Sequence, residues 1–144
     1  MPEITLSATV QSIPEAMAFL KENLGADYES LGTHVDLAVE ELFVNVASYA
    51  YKSDAYRQSD RVDTICLGCR WVNMDGHDLF CVWLRDWGAP FDPFRVKKPD
   101  TELTLDEREI GGLGVHLVKH VSKHYVYSGA DGSNTVELYF QKND

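Results

Sequence analysis

Residues 79–84 read Leu-Phe-Cys-Val-Trp-Leu, six apolar side chains without a break. A strand with one wet face alternates; an unbroken apolar run has no wet face and belongs in the middle of a sheet. A second strand is expected just upstream, at about 62–72, with the first spanning about 78–85. The turn-rich NMDGH joins them, and its Asp75-Gly76 pair fits a two-residue hairpin. At 134–141, Val136, Leu138 and Phe140 alternate with polar residues, so this strand buries one face and wets the other.

The remaining segments supply cover for one side of such a sheet. Residues 4–10 resemble an opening strand. In SIPE, Ser12 is placed as an N-cap, Pro14 in the first turn and Glu15 as the partner in a capping box, with Gly25 as the stop. A second helix is expected from near Thr33, with Asp36 in the matching capping position, to about Tyr51. Residues 52–61 read as a polar connector, and 87–111 as a long loop rich in proline and charge. Loops of that length inside a compact domain are usually functional. GGLG at 111–114 opens a third helix over 115–124, and a strand is expected at 125–128. The order of elements gives an α+β domain, with helices packed on one face of a mostly antiparallel sheet.

A chain of 144 residues suits one domain, and 44% apolar residues suffice for a core. No apolar run approaches the roughly 20 residues that span a bilayer, and the start lacks the basic, greasy pattern of a signal peptide. A cytoplasmic protein is expected. The net charge of -10, with no basic block, argues against a surface for nucleic acid or anionic lipid. Cys66 and Cys69 have a C-x-x-C spacing, but residues three apart on a strand point to opposite faces. They read as small packing residues.

Four separated features carry chemistry. In EELFVNVASYAY, residues 40–51, Glu41 and Asn45 lie at i and i+4 and share one helical stripe. Asp86, at the end of the central strand, precedes Gly88 by two residues; GGLG holds Gly112 and Gly114; Thr135 begins the last strand. Each residue has two readings. Asn45 is either hydrogen-bonded in the core or a hard oxygen ligand for Mg²⁺. Glu41 is either a solvated helix edge or a base that deprotonates a hydroxyl. Asp86-Trp87-Gly88 is an ordinary turn, or an acceptor for an exocyclic amine beside a residue that lets a flat base approach. The glycines are a tight approach to a helix, or a phosphate site at its N-terminus.

Taken together, E-x-x-x-N followed by YAY, then D-x-G-x-P-F-D-P, then GGLG, resemble the Bergerat (GHKL) ATP-binding fold. The similarity runs from about residue 35 to 141 and is greatest to the small anti-sigma-factor serine/threonine kinases of bacteria. The resemblance implies a two-layer, single histidine-kinase-like ATPase domain over residues 1–144, with a lid at about 92–111. It further implies ATP and Mg²⁺ as cofactors, Glu41 as catalytic base and Asn45 as metal ligand. Asp86 would read adenine with Gly88 beside the base, Gly112 and Gly114 would contact phosphate, and Thr135 would support Asp86 through water. The family's HAY ending is Tyr49-Ala50-Tyr51 here, and Arg108 is the candidate for the arginine near the γ-phosphate, with Arg95, Lys97 and Lys98 read as lid surface.

The expected activity is phosphorylation of an anti-anti-sigma partner, with binding of a sigma factor in the alternative state. A stand-alone domain of this kind, without a hairpin bearing a phospho-accepting histidine, is expected to act on other proteins. Relatives often form dimers, and a homodimer is a further expectation. The alternative is a nucleotide-binding interaction module without transfer. His116, His120 and His124 have a spacing that can bind metal on the third helix. They share the polar side with Lys119 and Lys123, while Leu117, Val118, Val121 and Tyr125 form the apolar face, so a solvated stripe is the better reading.

Overall fold

In the computed structural model, which describes residues 2–51, 63–95, 112–130 and 132–142, the apolar run lies in the middle strand of a five-stranded sheet. The strands are β1 (Glu3–Ser7), β2 (Thr64–Met74), β3 (His77–Asp86), β4 (His124–Ala130) and β5 (Ser133–Gln141), in the order β1-β2-β3-β5-β4. Every pairing is antiparallel. Asp75 (φ 53) and Gly76 (φ 83) make the β2–β3 hairpin with both turn residues in the left-handed region.

Among the described residues, three helices, α1 (Ile13–Leu24), α2 (Tyr28–Asn45) and α3 (Gly112–Val121), cover one face. Ala16, Leu20 and Leu24 of α1, Val35, Val39 and Phe43 of α2, and Val118 of α3 join Ile65, Leu67, Val82, Leu84, Leu138 and Phe140 in one core. This is an α+β fold, as the order of elements predicts. No helix among the described residues is long and apolar enough to cross a membrane.

Several boundaries differ from the sequence reading. Ser12 makes no side-chain cap, because a 3₁₀ turn, Val10–Ser12, has already put it in helical backbone geometry; Pro14 does occupy the first turn. Gly25 (φ 56) stops α1 as expected, but one 3₁₀ turn, Gly25–Asp27, leads straight into α2, which begins at Tyr28 rather than near Thr33. Asp36 is therefore mid-helix, where it accepts the Tyr28 hydroxyl at 2.7 Å. α2 continues as a π turn, Val46–Ala50.

α3 ends at Val121, and His124 is the first residue of β4, so the three histidines do not form one helical stripe. The inward face of α3 is Val115 and Val118, while Leu117 is exposed. No group of metal-ligating residues is found among the described residues. Cys66, Cys69 and Cys81 are buried and unpaired, and burial pushes the Cys69 thiol up to about 11.

Candidate functional site

Where the last turns of α2 meet the ends of β3 and β5, a cavity of about 200 Å³ remains. Leu42, Val46, Ala50, Leu84 and Val136 give it apolar walls; Asn45, Asp86 and Asn134 supply polar ones. Pro90, Phe91 and Pro93 complete the lining. A small apolar slot with a few convergent polar groups is the usual form of a small-molecule site.

Asp86 ends the central strand on its helix-covered side and is paired in register with Asn134. Its Oδ1 accepts the Gly88 N–H at 2.9 Å and the Asn134 side-chain amide at 3.0 Å. Its Oδ2 takes no hydrogen bond from the described residues. Burial raises the Asp86 carboxyl above the usual carboxylate range, and the Asn134 and Gly88 donors pull it partly back. A raised value in the folded state adds stability that is full below the ordinary carboxylate pKa and is lost as pH rises through the raised one. The stability of the wild type relative to Asp86→Asn is thus expected to fall between about pH 4 and pH 7. Denaturant unfolding of both proteins at the two pH values measures this; a constant difference would show that Asp86 has its ordinary affinity for protons.

The turn after Asp86 is fastened to the π turn. The Ala89 N–H donates to the Ala50 carbonyl at 2.9 Å. A Cβ on Gly88 would lie 2.2 Å from that same carbonyl oxygen, so only glycine allows this approach. The buried Tyr51 hydroxyl donates to the Thr64 carbonyl at 2.7 Å and accepts the Trp87 N–H at 2.9 Å. Gly88→Ala would push backbone against backbone, and the expected cost is roughly 1–3 kcal/mol. That corresponds to a melting temperature lowered by about 3–10 °C. A scan with an unchanged midpoint would mean the turn can move aside freely.

Asn45 lines the cavity, and its amide makes no hydrogen bond with the described residues. Among the described residues its oxygen has no donor, and an amide oxygen suits a hard cation such as Mg²⁺. Glu41 is not among the lining residues. It sits one turn back along α2, roughly 6 Å on the helix axis, with its carboxyl packed over Gly114: a Cβ there would fall 1.9 Å from the Glu41 Cδ. Burial, and then the neighbouring Glu40, raise the Glu41 carboxyl. Gly112 is the first residue of α3, so the free amides of a helix start lie on the same side as Glu41. From Asp86 through Asn45 to Glu41 and Gly114, the site offers a carboxylate, an amide, a second carboxylate and the first turn of a helix.

Thr135 is not part of this group. It stands opposite Arg85 on the other face of the sheet and accepts the Arg85 Nε–H at 3.0 Å. The side chain that holds Asp86 is Asn134, directly, because alternation puts Asn134 and not Thr135 on the helix-covered face. The sequence carried this signal: Asn134 is in phase with Val136, Leu138 and Phe140, a polar residue on the buried side. Arg108, Lys97, Lys98 and Gly111 lie outside the described residues, as does the expected lid beyond Arg95. At the start of that segment, Lys119 donates to the Phe94 carbonyl at 2.7 Å, and the Phe94 ring packs on Tyr125. Arg95 is exposed and pairs with Asp92.

A family model described as the histidine kinase-like ATPase domain matches residues 6–140, nearly the whole chain. Among curated proteins none matches the sequence significantly.

Proposed function

The chain belongs to the histidine kinase-like ATPase domain family, an ATP-binding family, and from that premise we propose that it is a Mg²⁺-dependent serine/threonine protein kinase acting as an anti-sigma regulator. Its substrate in this reading is an anti-anti-sigma protein, its other partner is a sigma factor, and its setting is the bacterial cytoplasm. The observation that carries the reading is Asp86, with Oδ1 saturated and Oδ2 open at an apolar cavity that also contains Asn45.

Bound Mg-ATP supplies the phosphoryl group. The residues of this chain do the rest, which in phosphoryl transfer is mainly positioning and electrostatics. Asp86 accepts the adenine amine, and the close Gly88–Ala50 packing fixes the turn that follows it. The Asn45 oxygen would hold the cation, which would offset phosphate charge. The first amides of α3 face the phosphates, where the helix dipole favours negative charge. Glu41 takes the proton from the partner's hydroxyl as its oxygen bonds to the γ-phosphorus and ADP departs. A phosphate on the partner then disrupts its interface by charge and desolvation and frees the kinase for sigma.

Phosphotransfer in extract from the source cells tests this. With purified protein, labelled ATP and Mg²⁺, one small protein is expected to take up acid-stable label. A protein that binds ATP but transfers no label would replace the kinase by a nucleotide-binding interaction module.

A further inference from the structure

Asn134 spends all of its polar groups on the protein. Its Nδ2 donates to Asp86 Oδ1 and to the Ala89 carbonyl, both at 3.0 Å, with the Gly88 carbonyl at 3.4 Å. Its Oδ1 accepts the Tyr127 hydroxyl at 2.5 Å and the Phe91 backbone N–H at 3.2 Å. The two ends of this amide meet opposite chemistries. A carboxylate and two carbonyls can only accept, whereas a backbone N–H can only donate. A flipped amide would set acceptor against acceptor at a residue only 6% exposed, so one orientation holds.

This fixes what Asp86 can offer. Two N–H donors on Oδ1 favour the ionised carboxylate, and an ionised Oδ2 can only accept. A base that presents an exocyclic amine there is held; one that presents a carbonyl at the same place is repelled. We propose that Asn134, oriented by Tyr127 and the Phe91 amide, sets the preference of this pocket for a 6-aminopurine over a 6-oxopurine. It is a positioning residue that acts through Asp86, and the inference rests on the nucleotide reading above. Among the described residues, the titratable groups around Asp86 are phenols: Tyr51 from the end of α2, Tyr127 of β4 through the Asn134 amide, and Tyr49 in the wall of the same cavity. Arg85 lies on the opposite face of the sheet.

The test measures ADP and IDP affinities by calorimetry from about pH 5 to pH 8 for the wild type, Asn134→Asp and Tyr127→Phe. The wild type should prefer ADP, and its ADP affinity should fall only toward acid, as Asp86 takes a proton. Asn134→Asp places a second carboxylate against Oδ1, and such a pair shares one proton. While the proton is present the Asn geometry is mimicked; its loss at higher pH sets two charges face to face. ADP affinity of Asn134→Asp should therefore fall as pH rises, the opposite sign, by on the order of tenfold to a hundredfold. Its preference for ADP over IDP should also narrow, since the shared proton can sit on Asp86 and donate to a carbonyl. Tyr127→Phe should weaken ADP by about threefold to tenfold and narrow the preference without reversing the pH profile.

Wild type with no ADP affinity would sink the nucleotide reading itself. Wild type that binds ADP, beside an Asn134→Asp protein of equal affinity, preference and pH profile, would overturn only the role of Asn134. If Asn134→Asp fails to fold, Tyr127→Phe decides alone: an unchanged ADP to IDP ratio overturns the proposal.

Discussion

Glu41→Ala is expected to remove phosphoryl transfer while leaving ATP binding within a few-fold of wild type. The loss should be about 10²–10⁴-fold, the usual contribution of a positioned general base. The separation of the two effects follows from geometry, since Glu41 lies beside Gly114 and outside the cavity that holds Asp86 and Asn45. Removing its carboxyl opens space over Gly114 and takes no wall from the pocket. Glu41→Gln is the sharper control, as it keeps the shape over Gly114 and removes only the base. Burial raises the Glu41 carboxyl, so transfer by the wild type should decline as pH falls through that raised value. Parallel rate and affinity measurements decide the matter. A Glu41→Gln protein that transfers at the wild-type rate would take the role of base away from Glu41.

Asn45→Ala should have the complementary effect. ATP affinity in the presence of Mg²⁺ is expected to drop by at least about tenfold to a hundredfold, to the level seen with a chelator. The melting temperature should hardly change. Asn45 lines the cavity and makes no hydrogen bond with the described residues, so its truncation orphans none of them, and Ala is the better helix former. A polar side chain that matters for a ligand and not for the fold is the signature of a functional position inside an apolar helix. Full Mg²⁺-dependent ATP binding by Asn45→Ala would return the residue to the structural reading.

Much of this was legible without coordinates because it is local. The Asp75-Gly76 hairpin follows from two residues that tolerate the left-handed region, and the central place of β3 from an unbroken apolar run. Glu41 and Asn45 share a stripe because the helix repeats every 3.6 residues. Local signals also misled. SIPE has the composition of a capping box, yet the chain reaches Ser12 already coiled, and Gly25 stops one helix only to begin the next after a single turn. The histidine spacing needed a helix running through His124, whereas α3 ends at Val121.

The sequence by itself determined the strands, the central place of β3, the alternating faces of β5 and the shared stripe of Glu41 and Asn45, since each depends on the backbone's own periodicity. The tertiary structure alone decided which of those residues meet. Asn134 reaches Asp86 across 48 positions of chain, Gly114 takes the Glu41 side chain from another helix, and Gly88 lies against the Ala50 carbonyl. Strand order and helix packing set these pairings. Neither is written in a period of 2 or 3.6 residues, because both are chosen by how the whole apolar surface can be buried at once.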